Sequence, residues 1–242
     1  MNHTLVPGLL STAEISALRA YCDDALRTDA APDAVVPYFE GKGKQRRLIR
    51  IERMAEHLQA ATGIPLLERC LALVEPHCGG AAKLFKDKIN FRHPRTPGFG
   101  AHQDAAAGWT RYSPIFHSVA LFVCNTDAKH GGFEFSVDDP GSAFYPNNVG
   151  QISSELFETF RRCDVEARAG DAILFDSFAP HRSHTNHSDA VVPHLILTFN
   201  PACYGDLRAA YYEDKLAGMV GGDGGYEFKL FDFGNGHAAH AR

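Results

Sequence analysis

Along the first quarter of the chain the apolar positions fall at helical spacing. In "STAEISALRAYCDDALR", Ile15, Leu18, Cys22, Ala25 and Leu26 recur every three or four residues, which predicts an amphipathic helix. Ser11 followed three positions later by Glu14 is the pattern of a capping box, each side chain satisfying a backbone amide at the helix start. A second helical stretch is predicted from about Ala55 to Val74, split at Gly63-Ile64-Pro65 because proline removes an amide donor. Between the two, "LIRIE" reads as a short strand behind several basic residues.

From about Lys83 the period changes from helical to alternating. "KLFKDKINFR" puts Lys86, Lys88, Asn90 and Arg92 on one face and Phe85, Ile89 and Phe91 on the other. "HSVALFVCNT", "GGFEFSV", "DVEARAGDAILFDS" and "PHLILTFNPA" are further short strand-like runs separated by Gly, Pro, Asp and Asn, and "SSELFETFRRC" reads as an inserted helix or turn. Strands this short and this closely punctuated predict a sandwich or jelly roll, not a βαβ sheet. The expected architecture is mainly β with flanking helices (α+β), a single domain over residues 1–242. Its helices occupy about 11–75, its jelly-roll core about 83–205, and its tail 206–242, with one plausible strand there in "YEFKLFDF".

Composition narrows the partners. With 242 residues, 45% hydrophobic and 22% charged, the chain is an ordinary globular protein. The net charge of −5 is spread over both signs with no basic block, so nucleic acid is not an expected partner. The apolar runs are too short to cross a bilayer, and "MNHTLVPGLLSTAE" has no charged region followed by an apolar core, so neither a membrane span nor a signal peptide is expected. Six scattered cysteines without a C-x-x-C pair read as reduced, mostly buried thiols of a cytoplasmic protein, and they give no support to a cysteine zinc site. Nothing in the sequence sets the oligomeric state.

The chemistry concentrates around "FGAHQDAAAGW". In an extended segment His102 and Asp104 point to the same side, so an imidazole and a carboxylate reach one ion together. The best third ligand is His181, where the chain emerges from the apolar strand of "GDAILFDSFAPHRSHTN". Two histidines and one carboxylate leave coordination positions open and suit non-haem Fe(II). With 13 histidines in the chain an H-x-D pair also arises by chance, and His181, His184 and His187 each admit a second reading as solvated loop histidines.

These stretches, "FKDKINFR…GFGAHQDAAAGW" and "GDAILFDSFAPHRSHTNHSD…LILTFNPACYGDLRAAYYEDK", resemble the phytanoyl-CoA dioxygenase-like family of Fe(II)- and 2-oxoglutarate-dependent oxygenases, over about Arg50 to Lys215. In length the chain looks nearer to the family's bacterial hydroxylases of small polar molecules, aminoalkylphosphonate dioxygenases among them. The resemblance implies a double-stranded β-helix, Fe(II) held by His102, Asp104 and His181, 2-oxoglutarate as co-substrate, and hydroxylation of a small polar or anionic molecule by dioxygen. It also selects His181 over its neighbours, as the histidine of "PHRS".

One departure stands out. The resemblance calls for an arginine about a dozen residues past His181 to clamp the far carboxylate of 2-oxoglutarate, and that place falls at Val192 or a neighbour, with no arginine between Arg182 and Arg208. Arg92, at a position where relatives carry a co-substrate lysine, is the leading substitute, with Lys88 and Asn90 on its face, Ser183 two residues past His181, and His194 if protonated. Lys86 reads as a solvated strand edge, and Arg92 reads equally as edge or as anchor. Gln103 and Trp109 flank the iron ligands as substrate-wall candidates, though a lone tryptophan also suits a core. Arg46, Arg47, Arg50 and Arg53 read singly as a solvated face, and as anion contacts if one turns to the barrel mouth. Two rival classes stay open. One is an iron oxygenase of the same fold without 2-oxoglutarate, separable by succinate formation tied to turnover. The other is a non-catalytic metal- or ligand-binding jelly roll, which the complete ligand set disfavours.

Overall fold

The computed structural model describes residues 2–28, 35–41, 46–138, 140–148, 150–220 and 240–241. After a strand β1 (His3–Val6), the helix α1 (Thr12–Arg27) begins where the sequence places it. Ser11 Oγ accepts from the Glu14 amide while the Glu14 carboxylate accepts from the Ser11 amide, so the capping box is complete. Next come β2 (Val36–Glu40), β3 (Arg47–Glu52), α2 (Ala55–Thr62) and α3 (Leu66–Cys78). The helical break expected at 63–65 is real: Gly63 ends α2 in the left-handed region at φ 69°. α3 runs one turn past Val74, carrying Pro76 near its end.

The barrel strands follow: β4 (Ala82–Arg92), β5 (His117–Phe122), β6 (Phe133–Ser136), a short α4 (Ser154–Glu158), β7 (Arg162–Asp164), β8 (Ala172–Asp176), β9 (His181–Ser183) and β10 (Val192–Pro201). A last helix α5 (Arg208–Val220) and a two-residue β11 (His240–Ala241) close the described chain. Eight strands pair in the order β1-β8-β5-β10-β4-β3-β2-β11, and three in the order β7-β6-β9, every pairing antiparallel. Phe122, Ile173, Phe175 and Ile196 of the large sheet pack with Phe133 and Phe135 of the small one, forming the jelly-roll interior. The opposite face of the large sheet, through Ile89, Val119, Leu195 and Leu197, is covered by Leu18, Leu58, Cys70 and Val74 of the helices.

β4 corrects one expectation. Its alternation is as read, but Lys86, Lys88 and Arg92 are not a solvated edge: all three are buried, as is Asn90 on the same face. The register explains why. Arg92, Asn90 and Lys88 stand opposite Val192, His194 and Ile196 of β10, and cross-strand partners share a face. The polar face of β4 is therefore turned inward, onto the same side as the Ile196 of the interior.

Part of the predicted tail is also ordered structure. α5 docks on the large sheet through Lys215, paired with Glu52, and Arg208, paired with Glu56 and 2.6 Å from Asp87. Tyr211 and Tyr212 join Phe85, Trp109 and Phe116 in an aromatic cluster. "YEFKLFDF" lies outside the described residues. No disulfide forms among the six cysteines, of which Cys22 and Cys70 are buried and Cys163 and Cys203 are exposed, fewer buried than expected. Among the described residues no helix is long and apolar enough to cross a membrane.

Candidate metal centre and its cleft

His102 and His181 come from segments 79 positions apart, yet they face each other across a backbone bridge. The His102 amide donates to the His181 carbonyl and the His181 amide to the His102 carbonyl, both at 2.9 Å. Side chains of such a pair lie on one side, and here the ring centroids are 4.3 Å apart. Asp104 opens a short 3-10 turn over 104–107, anchored by the Ala105 amide on the Ser177 carbonyl at 3.0 Å. Its carboxylate is 3.6 Å from His102 Nε2. One donor atom from each of the three residues lies within 4.8 Å of the others.

The protonation pattern suits a cation. His102 Nδ1 is 2.7 Å from the Gly100 carbonyl and His181 Nδ1 is 2.9 Å from the Ala179 carbonyl. A carbonyl only accepts, so both Nδ1 atoms carry the proton and both Nε2 atoms keep a lone pair toward the centre. Burial pushes His181 down to about 3, so its ring is neutral. Burial alone would raise Asp104, but the charge of Lys88, the largest opposing influence, holds its carboxyl well below the usual range. A neutral His181 imidazole and an ionised Asp104 carboxylate are forms that bind a metal.

His184, the neighbour that the sequence leaves as a rival, points elsewhere. It is 2.6 Å from Asp164, and these two form a second potential ligand group with Glu134. Glu134 is already held by Arg162 at 3.1 Å and Arg182 at 2.5 Å. Two guanidiniums on its carboxylate compete with any cation there.

Beside His102, Asp104 and His181, the cleft is lined by Arg50, Lys88, Asn90, Phe99 and Ser183. Its cavity is only about 20 Å³, room for roughly one water. Ser183 Oγ accepts from the Phe99 amide at 2.8 Å, which leaves its own O–H to donate into the cleft. Of the substitutes read from the sequence, Lys88, Asn90 and Ser183 are thus at the site. Arg92 stands behind them, its Nη2 donating to the carbonyls of Pro97 at 2.6 Å and His184 at 3.2 Å.

Neither Gln103 nor Trp109, the substrate-wall candidates, lines this cleft. The residue between two same-facing ligands must face away, and Gln103 fastens loops instead: its amide donates to the Ala143 and Phe178 carbonyls at 2.9 and 2.8 Å and accepts from the Tyr145 amide at 2.9 Å. Trp109 is in the aromatic cluster under α5, stacked edge-on to Phe85 and Phe116. Lys86 is 2% exposed, 3.7 Å from Glu52 and over the Trp109 ring, not a solvated edge. Arg50 is the contact undervalued in the sequence. It is 7% exposed, donates to Asn90 Oδ1 at 2.8 Å, and lies 3.4 Å from Glu52. Its place at i+3 to Arg47 in "RRLIRIE" turns it inward on β3 opposite Asn90, and that pairing was the missing signal.

The loop before the H-x-D element tolerates no side chain at Gly98, where an added Cβ would be 1.6 Å from the Ser183 carbonyl oxygen. Both sides of that contact are backbone, so the two segments must separate. Gly98→Ala is expected to lower stability by about 1–3 kcal/mol and to cut iron affinity, because the displaced segments carry His102 and His181. Thermal melts with and without Fe(II) check this; an unchanged metal-induced shift contradicts it.

The chain is similar to several known proteins. A methylphosphonate hydroxylase from Gimesia maris is 31% identical over 95% of this chain and 89% of its own length. A 2-aminoethylphosphonate dioxygenase from an uncultured bacterium, HF130_AEPn_1, is 27% identical over 86% and 80%. Among solved structures, EctD from S. alaskensis, crystallised with 2-oxoglutarate and 5-hydroxyectoine, superposes with a TM-score of 0.65 at 14% identity over 84% of this chain and 73% of its own. EvdO2 from Micromonospora carbonacea var. aurantiaca, complexed with 2-oxoglutarate, gives 0.63 at 17% identity over 82% and 85%. These structures share the fold. The profile described as phytanoyl-CoA dioxygenase (PhyH) matches residues 3–192, from the first strand through both histidines and the aspartate to the start of β10, and the chain belongs to that family.

Proposed function

We propose that the protein is an Fe(II)- and 2-oxoglutarate-dependent dioxygenase that hydroxylates a small anionic molecule of the phosphonate type. The observation that carries this reading is the convergence of His102, Asp104 and His181, whose donor atoms all lie within 4.8 Å of one another. Bound there, Fe(II) and 2-oxoglutarate supply the oxidising chemistry that activates dioxygen.

The chain's own residues do the rest. The Gly100 and Ala179 carbonyls fix both imidazoles in one tautomer and orientation, so the ligand set is built before any cation arrives. Asn90 and the Ser183 hydroxyl offer neutral polar contacts, while Lys88 and Arg50 bring positive charge to the cleft. That charge supports an anionic guest, and both phosphonate-acting relatives favour the same substrate class. Phe99 and Phe133 wall the cleft against water. A cytoplasmic enzyme whose partners are its small-molecule substrate and dioxygen fits the free thiols.

The test is turnover of methylphosphonate and 2-aminoethylphosphonate with Fe(II), 2-oxoglutarate and dioxygen, following succinate and the hydroxylated product together. Equimolar succinate and product support the proposal. Hydroxylated product without succinate makes the protein an iron oxygenase with another electron source.

A further inference from the structure

The "YYEDK" of α5, residues 211–215, contributes nothing to the lining of the cleft. Its lysine is nevertheless buried, with a side chain only 7% exposed. Lysine keeps its ammonium in water unless a partner holds it inside. Here the partner is Glu52, and the ammonium lies among the rings of Tyr38, Tyr211 and Tyr212, 5.2, 5.9 and 5.9 Å from their centroids.

Glu52 divides its two oxygens between α5 and the sheet. Its Oε2 meets Lys215 and accepts from the Tyr38 hydroxyl at 3.3 Å. Its Oε1 meets Arg50 at 3.4 Å and Lys86 at 3.7 Å. Arg50 carries this arrangement into the cleft, which it lines, and donates from Nε to Asn90 Oδ1 at 2.8 Å. Lys86 carries it the other way, its ammonium 5.5 Å from the ring of Trp109, the one tryptophan of the chain. α5 has separate anchors as well. Arg208 pairs with Asp87 and Glu56, neither of which lines the cleft, and the Tyr212 hydroxyl donates to the Asp87 carbonyl at 3.2 Å.

We propose that Lys215 is a positioning residue for the cleft: by holding one oxygen of Glu52, it keeps that carboxylate from drawing Arg50 out of the site. The inference rests on the reading of the cleft as an anion site. Without the Lys215 charge, the carboxylate can close on Arg50 with both oxygens, the stronger geometry for a guanidinium. Arg50 then leaves Asn90 and offers less charge to an incoming anion. α5 thereby sets the anion affinity of a cleft that it does not line.

Anaerobic, Fe(II)-loaded protein is titrated calorimetrically with 2-oxoglutarate and with methylphosphonate, and kcat and KM are then measured with dioxygen. Lys215→Met keeps an unbranched chain between the tyrosine rings and removes the charge. It should weaken at least one of the two anions about tenfold, with kcat within about threefold. Which anion weakens shows whether Arg50 meets the carboxylate or the phosphonate. Lys215→Arg, which restores the charge, should bind within about threefold of wild type. Arg208→Met removes the other anchoring cation of α5; it should lower Tm yet leave both Kd values within about threefold. In wild type, Trp109 emission should change saturably with the Kd of the anion that meets Arg50.

Unchanged affinity for both anions in Lys215→Met overturns the inference. An equal loss in Arg208→Met also overturns it, since the effect would then belong to helix docking. Where Lys215→Met does not fold, wild type decides, because constant Trp109 emission while both anions bind overturns it too. Neither anion binding to wild type overturns the proposed function itself, and the role of Lys215 falls with it.

Discussion

Alanine at His181 abolishes iron binding and turnover together. The loss expected is at least about 1,000-fold, beyond the 10- to 100-fold typical of removing a ligand's supporting partner. His181 is one of the three proposed ligands, and His102 is bound to it structurally: their backbones pair, and their rings lie 4.3 Å apart. Removing the side chain leaves one imidazole and one carboxylate, a set that holds Fe(II) weakly. His184→Ala and His187→Ala, in the same loop, should keep turnover within about threefold, a surface-substitution effect. The pair of outcomes matters because three histidines of "PHRSHTNH" compete as ligands in the sequence. Iron titration and assay of the three variants decide; full activity in His181→Ala, or loss confined to His184→Ala, moves the site.

The second large effect is on stability. Glu52 is fully buried and meets Arg50 at 3.4 Å, Lys86 at 3.7 Å, Lys215, and the Tyr38 hydroxyl at 3.3 Å. One carboxylate thus sits among three buried cations on β3, β4 and α5. Removing one partner of a buried ionic cluster costs about 3–5 kcal/mol, because the charges left behind lie out of water. Glu52→Ala should therefore lower Tm by about 10 °C or more for a chain of this size. Since Arg50 reaches both Glu52 and the cleft, co-substrate affinity should fall as well in the fraction that folds. Urea unfolding measures the first effect; a change below about 1 kcal/mol would falsify the picture of Glu52 as the common counter-charge.

Local patterns carried the sequence reading where they were long and unambiguous. The capping box at Ser11 and Glu14, the break at Gly63, and the alternation of β4 are all encoded within a dozen residues, and all are present. Two members of the candidate metal cluster were legible because H-x-D on extended chain sets both side chains on one face, while His181 came from the family resemblance. What local pattern cannot show is which face is wet. Lys86, Lys88 and Arg92 look like a solvated edge until β10 is laid beside them with Val192 opposite Arg92. Arg50 suffers the same ambiguity, since its partner Asn90 lies 40 positions away. β1 has four residues and pairs with β8 at the far end of the chain, so no period announces it. α5 was read as tail, its helical character carried by aromatic and ionic docking through Tyr211, Tyr212 and Lys215 more than by an apolar stripe. The place of Gln103 was legible too, because the geometry that turns His102 and Asp104 inward turns Gln103 toward the loops it bonds.

The central claim is that this cluster holds Fe(II) and a chelating 2-oxo acid at once. An anaerobic titration of the apoprotein, first with Fe(II) and then with 2-oxoglutarate, tests it most directly. The account predicts one equivalent of iron bound, followed by a saturable visible charge-transfer band on adding the 2-oxo acid. Iron binding with no band at any 2-oxoglutarate concentration contradicts it, and would leave a genuine iron site whose oxidising equivalents come from elsewhere.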